Sequence, residues 1–118
     1  MTTFDSQLAA RRLTQAWDED ITRQIQDYIA VPAKSPAFAA DWRELGHIET
    51  VVRRAAMWVE QQQVAGLALE VVRLPGRTPL IFFEVPAAHS SSAQTALMYG
   101  HLDKQPEFEG WRGDLGPW

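Results

Sequence analysis

Cysteine is absent from the 118 residues, which excludes a disulfide framework and any zinc site built on thiolates. A metal held by this chain would have to rest on histidine and carboxylates. Clustered basic charge is missing as well: the eleven Lys and Arg are scattered, and the closest pairs, Arg11-Arg12 and Arg53-Arg54, fall inside helical patterns. With a formal net charge of -4, the chain lacks the electrostatic footprint that nucleic acid requires. An anionic membrane surface would want the same clustered cations, so that partner is not expected either. No long apolar run is present. The longest, Leu80 to Val85, is interrupted by Glu84 and is far too short to span a bilayer. The first residues, Met1 to Asp5, show no basic region leading into an apolar one, so no secretory signal is indicated and a cytoplasmic protein is the default.

What is there is ordinary for a soluble globular chain: 46% hydrophobic and 22% charged residues. The length suits one small domain or a piece of a larger one. Phe4, Leu8, Trp17, Ile21, Ile25, Tyr28 and Ile29 recur mostly at spacings of three and four, which predicts a helix over about 4–31, stopped by Pro32. The linker Val31-Pro32-Ala33-Lys34-Ser35-Pro36 carries turn chemistry. A second helix is expected over about 41–65, opened by a capping-box-like Asp41-x-x-Glu44. Its apolar stripe reads Trp42, Leu45, Ile48, Val52, Ala55 and Val59, with Gly46 inside it at some cost and Gly66 as its stop.

The period then changes. Residues about 67–74 and 79–86 are rich in β-branched and aromatic side chains, and Pro75-Gly76-Arg77-Thr78 between them predicts a hairpin. After a Pro/Ala/Ser-rich loop, Thr95-Ala96-Leu97-Met98-Tyr99 reads as a third strand, about 95–100, apolar enough to be buried on both faces. The order ααβββ is an α/β pattern with an incomplete sheet. A buried central strand needs helices on both sides, and nothing after Asp103 supplies another, so the expectation is an N-terminal segment of a larger catalytic domain.

His101 and Asp103 follow that third strand directly, and ligands of open α/β sheets gather at the carboxyl ends of strands. If the extended conformation continues, residues two apart share a face, with Leu102 turned back toward the core. An imidazole beside a carboxylate suits metal ligation, one ring nitrogen binding while the carboxylate orients the other. His-x-Asp alone is a common chance pattern, and on a surface loop it usually carries no chemistry. Other candidates read as structural. His47 has no ligand cluster around it, with Glu44 and Glu60 out of register. His89, among Ser90, Ser91 and Ser92, lacks a nucleophile elbow or an orienting acid and reads as flexible loop. Asp18-Glu19-Asp20 reads as a solvated helix face rather than a hard-cation site. Trp17, Trp42 and Trp58 read as packing residues, Trp58 competing with Met57 for the buried position.

The stretch Leu97-Met98-Tyr99-Gly100-His101-Leu102-Asp103-Lys104-Gln105-Pro106, continued by Gly110-Trp111 and Asp114-Leu115-Gly116-Pro117-Trp118, resembles the first metal motif of a known family. This is the dinuclear-zinc peptidase family of glutamate carboxypeptidase, cytosolic non-specific dipeptidase, carnosinase and acetylornithine deacetylase (peptidase family M-twenty), and the dipeptidase-like branch is most similar. The resemblance implies that His101 is the histidine ligand of one zinc ion and that Asp103 is the catalytic aspartate orienting it. Trp111 and Gly116-Pro117-Trp118 would lie beside the cleft. It further implies two zinc ions in the intact enzyme, with manganese or cobalt as substitutes. The reaction implied is hydrolysis of dipeptides or small N-acyl amino acids by a metal-bridged water. The bridging aspartate, the Glu-Glu pair, a further carboxylate, the second histidine and the lid/dimerisation domain of a homodimeric parent have no counterpart here. The chain alone is therefore expected to be inactive. The competing reading is a non-catalytic binding or structural module that keeps the start of the fold.

Overall fold

The computed structural model describes residues 4–87 and 94–118. They form a mixed helix-and-strand chain in two compact units, Met1–Val31 with Phe108–Trp118, and Pro32–Glu107. No helix of the described residues is long and apolar enough to cross a membrane.

In the first unit, α1 (Ser6–Ala16) runs through a π-helical turn at Trp17–Ile21 into α2 (Thr22–Ile29), much as the apolar spacing predicted. Asp5 caps α1, its carboxylate accepting the Leu8 N–H at 2.9 Å. Leu13, Trp17, Ile21, Ile25 and Ile29 recur every four residues across this wider turn. Thr22 completes it, its hydroxyl donating to the Trp17 carbonyl at 2.8 Å. Trp17 is half exposed rather than buried.

The second unit holds the core. Here α3 is a single turn (Trp42–Leu45), α4 spans His47–Gln61, and β1 (Ala68–Val72) pairs antiparallel with β2 (Leu80–Glu84). The expected helix over 41–65 is thus divided. Gly46 adopts φ 69, a left-handed conformation open to glycine, and breaks the chain between α3 and α4. The capping box does not form, since the Asp41 side chain makes no capping bond. With the register reset at Gly46, the buried face of α4 is Ile48, Val51, Val52 and Ala56. Ala55 and Val59 flank it half-buried, Leu45 is exposed, and Trp58 is half-buried while Met57 faces solvent. The helix also stops earlier than expected. Gln63, not Gly66, takes the left-handed position after its last turn, at φ 50.

The hairpin forms as predicted, with Val72 opposite Leu80 and Ala68 opposite Glu84. Leu69, Val71 and Ile81 share one face and are half-buried, and α4 packs against both strands. On the other face Ala68, Glu70, Leu80, Phe82 and Glu84 are exposed. The Arg73 guanidinium pairs with Glu49 of α4, tying the strand end to the helix.

The third strand expected over about 95–100 is not formed among the described residues: 94–100 join no ladder, and Leu97, Met98 and Tyr99 stand about nine-tenths exposed. Among the described residues the sheet has two strands. An apolar strand of this kind is stable only with hydrogen-bonded neighbours on its edges and cover on both faces, and the hairpin provides neither.

Candidate functional site

Beyond this irregular stretch the chain regains definite geometry at His101. The imidazole Nδ1 lies 2.9 Å from the Asp103 main-chain oxygen and 3.1 Å from its carboxylate Oδ1. A carbonyl and an ionised carboxylate can only accept, so the hydrogen-bond pattern assigns the proton to Nδ1, which donates to both. In the neutral ring Nε2 then keeps its lone pair. The His101 side chain is largely exposed and that of Asp103 about one-third exposed (68% and 36%), so the lone pair belongs to a ring reachable from solvent. Leu102 between them is half-buried. His101 and Asp103 thus meet on one side of the chain.

The segment that follows is held by the linker ahead of α3. Lys104 N–H donates to the Ala33 carbonyl at 2.9 Å, and Ser35 N–H donates to the Lys104 carbonyl at 2.8 Å. Together these make an isolated parallel bridge between Lys34 and Lys104. Ala33 is completely buried beneath it. The Lys34 ammonium reaches Glu107, 2.7 Å from Oε2 and 3.0 Å from Oε1. The hydrogen bond from Lys34, helped by the glutamate's own backbone N–H, holds the Glu107 carboxyl below the usual range. Burial pushes the Lys104 ammonium below its ordinary value.

Among the described residues no three His, Asp or Glu side chains gather closely enough to hold a metal ion. The His101–Asp103 pair suits one corner of such a site: a neutral imidazole with Nδ1–H on a carboxylate is the form in which histidine ligates zinc through Nε2. One nitrogen donor does not fill a tetrahedral sphere. Scans against family models and curated proteins returned no match for this chain. Any functional reading therefore rests on the residues and their geometry.

The remaining candidates are placed as follows. His47 is the first residue of α4 and half-buried. His89 lies outside the described residues. In Asp18-Glu19-Asp20, Glu19 accepts from Gln15 and Asp20 from Gln24, each one helical turn away, so both carboxylates serve their own helix. Trp42 carries the Arg43 guanidinium 4.8 Å from its ring centroid. Trp111 and Gly116-Pro117-Trp118 belong to the unit of the N-terminal helix, where Trp111 Nε1 donates to the Phe108 carbonyl at 2.6 Å and Arg112 pairs with Asp114. Sequence reasoning missed Ala33, Lys34, Ser35 and Glu107. Their only trace was a proline-flanked linker and two opposite charges 73 residues apart.

Proposed function

We propose that the chain is the N-terminal portion of a zinc-dependent metallohydrolase that cleaves peptide or amide bonds of dipeptides or small N-acyl amino acids. His101 binds one metal ion through Nε2, and Asp103 holds its ring. The observation that carries this reading is the double contact of His101 Nδ1 with the Asp103 carbonyl and carboxylate. In the neutral ring it leaves the Nε2 lone pair available and strengthens it as a ligand. The motif across residues 97–118, which resembles the dinuclear-zinc peptidases, points the same way.

Zinc, when bound, would supply Lewis acidity toward the scissile carbonyl and a water of lowered pKa. The chain's own part is narrower. His101 contributes one donor, and Asp103 keeps the proton on Nδ1 and fixes the ring plane. In this reading the other ligands, the general base and the lid come from sequence beyond the segment, in a cytoplasmic homodimeric parent. Residues 95–100 then become the third strand of the ααβββ order once neighbouring strands flank them.

The test uses the product in which this segment is continued in frame, loaded with zinc and assayed on dipeptides. His101→Ala should abolish hydrolysis. Asp103→Asn should lower metal affinity about 10–100-fold, the usual cost of losing such a partner. Undiminished zinc-dependent hydrolysis by the His101→Ala protein would sink the proposal and leave the non-catalytic module as the better reading.

A further inference from the structure

The Asp103–Lys104 peptide links the His101 contact to the bridge with the linker. No cis peptide bond occurs among the described residues, and in a trans peptide the C=O and N–H point in opposite directions. The carbonyl side of this one unit receives His101 Nδ1–H at 2.9 Å, while its N–H side donates to Ala33 O at 2.9 Å. The orientation of the imidazole is thus set from behind by the linker. Turning the peptide to release His101 would break the Lys104 N–H bond to Ala33, a residue with no exposed surface. The bridge is isolated, so no neighbouring ladder supports it. The Lys34–Glu107 ion pair is a further attachment between the linker and the loop, and both side chains are partly covered, at 29% and 40% exposure.

We propose that Ala33–Ser35, pinned by the Lys34–Glu107 ion pair, is a clamp that positions the Asp103–Lys104 peptide and thereby holds His101 as its Nδ1–H tautomer, with Lys34 and Glu107 as positioning residues. Neither touches the imidazole. They act through the backbone bridge. The clamp deepens the reading of His101 as a ligand and rests on that reading for its purpose, whereas the geometry can be tested without metal.

The experiment is long-range ¹H–¹⁵N spectroscopy of the full 118-residue chain without metal, at a fixed pH above the ordinary imidazole range, together with amide exchange at Lys104. The unsubstituted chain should show His101 predominantly as the Nδ1–H form, with Lys104 N–H protected. Lys34→Ala and Glu107→Gln should each raise the Nε2–H share several-fold and speed Lys104 exchange several-fold, while the α4 and hairpin signals stay in place. Lys34→Arg, which can still reach Glu107, should restore both. A tautomer unmoved by Lys34→Ala and Glu107→Gln overturns the clamp. So does a change that comes only with collapse of the α4 and hairpin signals, because the residues would then be merely structural. Failure of zinc-dependent hydrolysis in the longer product counts against the proposed function alone, since the tautomer is read with no metal present.

Discussion

Gln63→Gly should stabilise the second unit, against the usual direction of a substitution to glycine. The reason is local. Gln63 sits just past the end of α4 with φ 50, where an L-residue pays about 1–2 kcal/mol for crowding of its Cβ against the following carbonyl. Glycine escapes that cost but loses more freedom on folding, about 0.5–1 kcal/mol. The difference leaves a net gain of about 0.5–1 kcal/mol. Gly66, at φ 79, is the converse case. A Cβ there would lie 3.4 Å from the Cδ and Cγ of Pro86, an ordinary contact, so the strain of Gly66→Ala is almost wholly in the backbone. It should cost about 1 kcal/mol. Urea unfolding followed by circular dichroism reads both. With a slope of about 1–2 kcal/mol/M for a chain of this size, Gln63→Gly moves the midpoint up by about 0.3–1 M and Gly66→Ala moves it down by a similar amount, with unchanged slopes. A lower midpoint for Gln63→Gly would refute the left-handed exit from α4. It would put the helix stop back at Gly66, where glycine spacing alone had suggested it.

Three further outcomes follow from the same structure. Val51 is the largest fully buried side chain among the described residues, and Val51→Ala should cost about 2 kcal/mol from two lost methyl groups and the cavity they leave. Met57→Ala, on the exposed side of the same helix, should cost well under half of that in the same urea titration. Because the Glu107 carboxyl is held low by Lys34, the ion pair's contribution is present above the ordinary glutamate value of about 4.3 and is lost as pH falls through the lowered one. Lys104 amide exchange, corrected for its intrinsic pH dependence, should therefore accelerate only on the acid side of that range, and Glu107→Gln should erase the step. The isolated chain should bind zinc more weakly than about 1 μM, since one histidine and an orienting carboxylate cannot fill the metal's sphere. Tighter binding by calorimetry would mean that further donors converge on His101.

Features carried by neighbours a few residues apart were legible beforehand. The apolar period marked the N-terminal helix, and β-branched and aromatic composition with Pro-Gly turn chemistry marked the hairpin. The spacing of two suggested that His101 and Asp103 share a side, and the two side chains are in contact. Near misses were also local in origin. Gly46 was counted as a tolerated helix residue, yet a glycine with φ 69 breaks the helix and shifts the buried face of α4 toward Val51 and Ala56. The apolar run before His101 forms no strand among the described residues for a different reason. Strand formation is decided by partners, and Leu97, Met98 and Tyr99 have composition without a neighbouring strand to pair with.

For the site opened by His101, the sequence by itself determined which chemistry is on offer: an imidazole, a carboxylate two residues on, and no thiol. Tertiary structure alone decided how that chemistry is held. The bridge from Lys104 to Ala33 and Ser35, and the ion pair from Lys34 to Glu107, join residues some seventy positions apart. Such contacts leave no periodic signature, since they depend on how the folded linker and loop come to lie side by side. Periodicity records what adjacent residues impose on each other, and only the closed fold records what distant ones do.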